Sequence, residues 1–268
     1  MQKKTNILVP AVFVMLLFYA CQSIIDFPDV PEVKPVTIIE GILTDRAEVC
    51  QIRVSRSVSL GDSISSIPVP DAEVFVYSDN DTFYYTYKNN GRYESEPFGA
   101  EVNRTYHLEV RIDSSCYKST GTVLPLNGID SIYTGYFPKY QGDDSAYMVY
   151  INAGDINFEK TGYYLVNAFR NGKCISTGSD LWVFDDKHLN DLNSINIPYT
   201  FRKNDTVTVE LNSISKEMYD YYYVLVDQFF VLNYQNIWYK TNPPLMFDGS
   251  AMGYFQVSSV SSKTVIVR

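Results

Sequence analysis

From Val36 onward apolar and polar residues alternate with a period of two, a pattern that commits the chain to strands with one buried face. Cys50, Ile52 and Val54 alternate with Gln51, Arg53 and Ser55 until Arg56 ends the apolar face. Ala72, Val74 and Val76 share one side, with Phe75 and Tyr77 on the other. Tyr106, Leu108, Val110 and Ile112 alternate with His107, Glu109 and Arg111. Asn90-Gly91 separates an aromatic run carrying Phe83, Tyr85 and Tyr87 from another beginning near Tyr93. That pair supplies the positive φ angles of a tight hairpin turn. The 23 tyrosines and 15 phenylalanines point the same way, because aromatic side chains suit half-buried strands. The chain is expected to be mainly β, with residues 36–126 folded as a β-sandwich packed on both inner faces.

At 268 residues there is room for a second body of similar size. Leu124-Pro125-Leu126-Asn127-Gly128 interrupts the alternation and marks the expected boundary, leaving 127–268 as a β-rich module. Strand signals resume over 146–151 and 163–169, and Asn171-Gly172 predicts a turn back into Cys174-Ile175. Residues 180–199 read as loop, holding Trp182, Asp185, Asp186, His188 and Asp191. Val207, Val209 and Leu211 predict a short strand, and a last strand is expected near 264–267. One segment breaks the β rule. Met218, Tyr222, Leu225, Phe229 and Leu232 recur at three- and four-residue spacing, the stripe of a helix over about 213–232 packed on a sheet. Ser213 or Ser215 can cap it, with Glu217 near the positive end of its dipole.

The N-terminus carries a different message. Lys3 and Lys4 precede an apolar run from Ile7 to Ala20, a length suited to a signal peptide and short for a bilayer span. Residues 1–20 therefore read as a signal peptide. Ala20-Cys21 resembles the lipobox of bacterial lipoproteins, which implies acylation of Cys21; an ordinary secretory signal abutting a cysteine is the other reading. Acyl chains contribute ~0.8 kcal/mol per buried CH₂, so two or three anchor firmly. Residues 21–35, with Pro28, Pro31 and Pro35 beside Asp26, Asp29 and Glu32, read as an extended tether. Loss of the two signal-peptide lysines would take the net charge from −9 to −11. Cys50, Cys116 and Cys174 then remain, an odd number in an oxidising compartment. Alternation turns Cys50 inward and Cys116 outward, so buried structural thiols are preferred to a disulfide.

Pro70-Asp71-Ala72-Glu73-Val74, then Asn90-Gly91-Arg92-Tyr93, then Tyr106-His107-Leu108-Glu109-Val110 resembles the transthyretin-like or carboxypeptidase-regulatory class of sandwich. In that class the tyrosines would plug the open ends of the core. A wider resemblance rests on Glu40-Gly41-Ile42-Leu43-Thr44, on 211–221, on Asn242-Pro243-Pro244 and on Met252-Gly253-Tyr254-Phe255. With the lipobox, this order is similar to a Bacteroidota lipoprotein family catalogued as a domain of unknown function. Members are often encoded beside TonB-dependent outer-membrane receptors, which implies an accessory role in nutrient uptake and an outer-membrane location.

The sequence has no G-x-S-x-G elbow, H-E-x-x-H helix or phosphate-cradling G-x-x-x-x-G-K. His107 falls on a polar strand face and His188 in a loop, neither in a recognisable triad. Asp143-Asp144 and Asp185-Asp186 are adjacent pairs, which strands point to opposite sides, so neither makes a glycosidase pair. Asp79-Asn80-Asp81 has an alternate-oxygen spacing that calcium accepts, and Asp185, Asp186 and Asp191 form a second acidic group. Both read more simply as turn-capping side chains, and no metal or other cofactor is expected. The pI near 4.7 argues against nucleic acid, which needs Lys and Arg to displace counterions. Tyr234, Asn236, Trp238 and Tyr239 form the candidate ligand or partner surface, since ring faces stack while amides fix orientation. The expected function is a non-catalytic, membrane-anchored binding or adaptor protein, with a surface structural or adhesive protein as the first alternative. A hydrolase with an active site hidden from the sequence is the second.

Overall fold

The structure is a computed structural model that describes residues 34–59, 64–79, 81–137, 147–153, 162–188, 194–233 and 242–268, with the side chains of 188 and 229–233 left aside. Pro35–Arg268 forms one compact unit. Its first strands are β1 (Thr37–Thr44), β2 (Gln51–Arg56), β3 (Ile67–Pro68), β4 (Glu73–Ser78), β5 (Asp81–Asn89), β6 (Arg92–Glu94), β7 (Thr105–Ile112) and β8 (Ser115–Thr122). They make the expected sandwich. One sheet contains β1, β2, β3 and β6; the other runs β5-β4-β7-β8. β5 turns the corner between them: Asp81 to Tyr85 pair with β4, and Thr86 to Asn89 with β6. Asn90 and Gly91 close the β5–β6 hairpin with φ of 48° and 75°, both in the left-handed region that Asn and Gly tolerate.

The inward residues match the alternation. Ile39, Leu43, Ile52 and Val54 pack against Val74, Val76, Leu108 and Val110 in one buried cluster. Each such side chain contributes about 1.5–3 kcal/mol on burial. The tyrosines do close the ends. The Tyr93 hydroxyl donates to the Val69 carbonyl at 2.7 Å and accepts from the Ala72 amide at 2.9 Å. At another end, the Tyr106 hydroxyl accepts from the Glu101 amide at 2.9 Å. Each ring fills apolar space while its polar atom satisfies loop backbone.

The later elements are β9 (Ile129–Tyr136), β10 (Tyr147–Ala153), β11 (Tyr163–Arg170), β12 (Lys173–Cys174), β13 (Trp182–Asp185), β14 (Ile195–Phe201), β15 (Thr206–Ile214), α1 (Lys216–Asn233) and β16 (Met252–Ile266). Two of these correct the loop expected over 180–199, since β13 pairs with β11 and β14 with β10. β9 was also not anticipated. The three-stranded sheet β14-β10-β9 packs Val149, Ile151, Ile197 and Phe201 onto Val166, Ala168, Val209 and Leu211. Leu165 and Ile214 point the other way, where Met218, Tyr221 and Tyr222 of α1 cover them. Ser215 is the cap: the Met218 amide donates to its Oγ at 3.2 Å. Ser213 lies in β15 and instead donates to the Leu124 carbonyl at 2.7 Å.

The last strand is far longer than the four residues expected, and it pairs with strands from both halves of the chain. Its first half runs parallel to β1, from Ile38↔Met252 to Thr44↔Ser258. Its second half is antiparallel to β15, from Ser213↔Ser259 to Thr206↔Ile266. Asp45 sits at the change of partner, its amide donating to the Ser258 carbonyl at 3.2 Å and its Oδ1 accepting from the Val260 amide at 2.9 Å.

Candidate functional site

Among the described residues, the outer face of β1, β2 and β6 beyond the cover of α1 is open, and a groove of about 490 Å³ lies along it. Alternation places its side chains. Glu40, Ile42 and Thr44 point outward from β1, and Gln51 and Arg53 from β2; Arg92 comes from β6 and Tyr254 from β16. The connection from β1 to β2 adds Glu48 and Val49. Ile42 and Val49 are 43% and 45% exposed, an apolar strip between charged groups. Arg53 approaches Glu40 at 3.9 Å and donates to Ser66 Oγ at 3.0 Å, while Arg92 lies 3.3 Å from Glu94. Thr44 Oγ1 donates to Glu48 Oε1 at 3.2 Å, which holds the connecting turn.

Parallel pairing of β1 with β16 sets Glu40 opposite Tyr254 and Gly41 opposite Phe255. Tyr254 then packs against Tyr221 and Tyr222 of α1, with ring centroids 5.6 and 5.8 Å apart. Burial, reinforced by the Glu40 carboxylate, pushes the Tyr254 and Tyr221 hydroxyls up to about 12. They remain neutral hydrogen-bonding groups at physiological pH. Beneath the groove, burial and then the Glu48 charge push the Cys50 thiol up to about 11. Such a thiol is an inert core side chain rather than a nucleophile.

A family model described as a domain of unknown function (DUF4249) matches residues 25–264. The chain belongs to this family. No curated protein matches the chain. The DUF4249 match begins before β1 and reaches into β16, so every residue of the groove lies inside it. Within this DUF4249 chain, Glu40-Gly41 and Gly253-Tyr254-Phe255, far apart in sequence, are neighbours on paired strands.

The residues singled out from sequence fall in several places. Cys21, Asp143, Asp144, Asp191, Tyr234, Asn236, Trp238 and Tyr239 lie outside the described residues. Asp79 and Asp81 converge on Arg104, whose Nε donates to Asp79 at 3.1 Å and whose Nη2 donates to Asp81 at 2.5 Å. A guanidinium therefore already gathers the carboxylates whose spacing suggested calcium. Asp186 is buried and its Oδ2 accepts from the Gly162 amide at 2.8 Å, and Asp185, also buried, ends β13. Among the described residues no three His, Cys, Asp or Glu side chains are grouped to hold a metal ion. His107 engages Thr120 Oγ1 through Nδ1 at 2.9 Å and stacks on Tyr77 at 5.0 Å. His188 ends the short 3-10 turn Asp186–His188. Cys50, Cys116 and Cys174 are free thiols, buried, exposed and intermediate.

Two surface features escaped sequence reasoning. The groove is one. The other is Glu109, which alternation places on the outward face yet which is only 5% exposed. Arg111 reaches it at 2.6 Å and Lys118 at 3.1 Å, while the Arg111 guanidinium also covers the Phe75 ring at 4.9 Å. Charged neighbours, not the protein core, bury this carboxylate.

Proposed function

We propose that this protein is a non-catalytic binding or adaptor lipoprotein, anchored by acylated Cys21 in a bacterial outer membrane and serving a TonB-dependent receptor in nutrient uptake. The observation that carries a binding role is the groove itself. It is open, its apolar strip of Ile42 and Val49 is available, and both signs of charge flank it in Glu40, Glu48, Arg53 and Arg92. Sites of this kind are largely preformed, with apolar contact giving affinity and a few polar groups fixing orientation. The occupant that fits is an extended, amphipathic segment of a partner protein, lying along β1 and β2. Support for the receptor comes from the resemblance to a lipoprotein family found beside such receptors. Support for the anchor comes from the signal-like segment ending at Cys21.

Tagged full-length protein, extracted from membranes in mild detergent, should retain a β-barrel receptor. The variant Ile42→Arg/Val49→Glu should lose it while melting at the same temperature, because both side chains are exposed. Reproducible recovery of the wild type without any barrel partner would overturn the proposal.

A further inference from the structure

We infer that the end of the sandwich where the chain enters β1 is a membrane-facing surface that takes an anionic phospholipid bilayer. This rests on the anchoring of Cys21 proposed above. Strand register carries the argument. Thr37 is opposite Arg56, and Arg56 is opposite Ile67, so three strands place the incoming chain, a cation and an apolar side chain in one row. The Val36 amide donates to Ser57 Oγ at 2.9 Å, and the Ser57 amide donates to the Val36 carbonyl at 2.9 Å, which pins the incoming chain beside this row.

Ile67 is 42% exposed, and Ile64, just before it, is 56% exposed. Arg56 is exposed, as is Lys88 beside the Asn90-Gly91 turn, and that turn is tied to the row's neighbour by the Val54 amide donating to the Gly91 carbonyl at 2.8 Å. Arg53 and Arg92 have Glu40 and Glu94 near them, but Arg56 and Lys88 form no ion pair among the described residues. Two cations without an ion pair among the described residues and two exposed isoleucines thus lie at this end of a chain whose net charge is −9. Among the described residues the carboxylates at this end are Asp71, Glu73 and Asp113, in the segment leading into β4 and in the sheet of β4 and β7. The contact is therefore one-sided, through the sheet that contains β2 and β3.

Chain length makes a weak surface sufficient. From Cys21 to Thr37 a fully extended backbone spans at most about 55 Å, so an acylated Cys21 confines this end to within that distance of the headgroups. Tethering converts a marginal contact into an intramolecular one at high effective concentration. Each cation near an anionic surface strengthens binding about fivefold, and small apolar side chains add to it by entering the interface.

The test uses purified full-length protein in vesicles of phosphatidylethanolamine with or without phosphatidylglycerol, and measures hydrogen exchange after the acyl mass on Cys21 has been determined. Amides of 64–69 and 88–91 should exchange at least about fivefold more slowly only when phosphatidylglycerol is present. Arg56→Glu/Lys88→Glu should abolish that protection, as should Ile64→Ser/Ile67→Ser, with melting temperatures confirming the fold. Equal exchange in both vesicles, with Cys21 acylated, overturns the membrane-facing surface and leaves the anchor standing. An unmodified Cys21 overturns the anchor and this inference with it. Protection that follows added receptor rather than lipid assigns the surface to protein and also overturns it.

Discussion

A Cβ on Gly253 would stand 1.9 Å from the carbonyl oxygen of Ile39. The two strands that unite the ends of the described chain pack this closely because Gly253 has no side chain, and its φ of 112° is one that L side chains rarely adopt. Gly253→Ala should cost upwards of about 3 kcal/mol in urea unfolding, since overpacking against backbone cannot relax by rotamer change. Gly172→Ala is the control. Its φ of 79° is also left-handed, but nothing lies within 4 Å, so only the conformational penalty of about 1–2 kcal/mol is expected. Equal costs for the two variants would show that close approach is not what Gly253 provides.

The Tyr222 hydroxyl donates to Gln256 Oε1 at 2.7 Å, and Gln256 Nε2 donates to Ser258 Oγ at 3.0 Å, all beneath α1. Tyr222→Phe leaves a buried amide oxygen without its donor and should cost about 1–3 kcal/mol. Adding Gln256→Leu with Ser258→Ala should recover part of that loss, because no member of the network is then stranded. A combined variant as unstable as the sum of Tyr222→Phe and Gln256→Leu/Ser258→Ala measured separately would show that they act independently.

Alkaline stability should break sharply. Burial pushes the Tyr164, Tyr221 and Tyr254 hydroxyls up to about 12, aided by Asp186 at Tyr164 and by Glu40 at the others. A phenol whose folded value is raised contributes stability that is complete below its unfolded value near 10 and is lost as pH rises through the folded one. Melting temperature should therefore hold to about pH 10 and fall steeply above it, with phenolate absorbance rising as circular dichroism is lost. Titration of all tyrosines near pH 10 in a folded chain would contradict the burial described for α1 and β16.

Acid acts through Glu109 with the opposite sign. Burial alone would raise its carboxyl, but the bonds from Lys118 and Arg111 outweigh it and hold the group below its ordinary value of 4.5. The resulting stability is complete above that value and is lost as pH falls through the lower folded value. Glu109→Gln should therefore lower the melting temperature at neutral pH and flatten its decline below about pH 4. An unchanged acid limb would mean that the clamp contributes nothing to folding.

Much of the sandwich was legible because its strands obey one rule, apolar inward and polar outward, with Asn90-Gly91 marking the β5–β6 hairpin. β16 was not, and the reason is chemical. Gln256, Ser258 and Ser259 are buried but polar, and each has a hydrogen-bonding partner, so a strand buried in the middle of the sheet reads as a soluble linker. β13 and β14 were hidden among the charges and turn residues of 180–199. For the groove, Arg53 was correctly placed on an outward face, and Glu40 and Tyr254 stood in the segments that carried the family resemblance. Their meeting depends on parallel pairing between strands more than 200 residues apart, which no local periodicity encodes.

Because β16 joins both ladders, translation order matters for this protein. β1 is synthesised among the first elements and waits for a neighbour made after every other described strand. Until then the β1 edge is unpaired and Phe255 and Val257 are missing from the sandwich core. A chain with these contacts cannot complete either ladder until β16 has been made, so its folding is expected to finish only after synthesis ends.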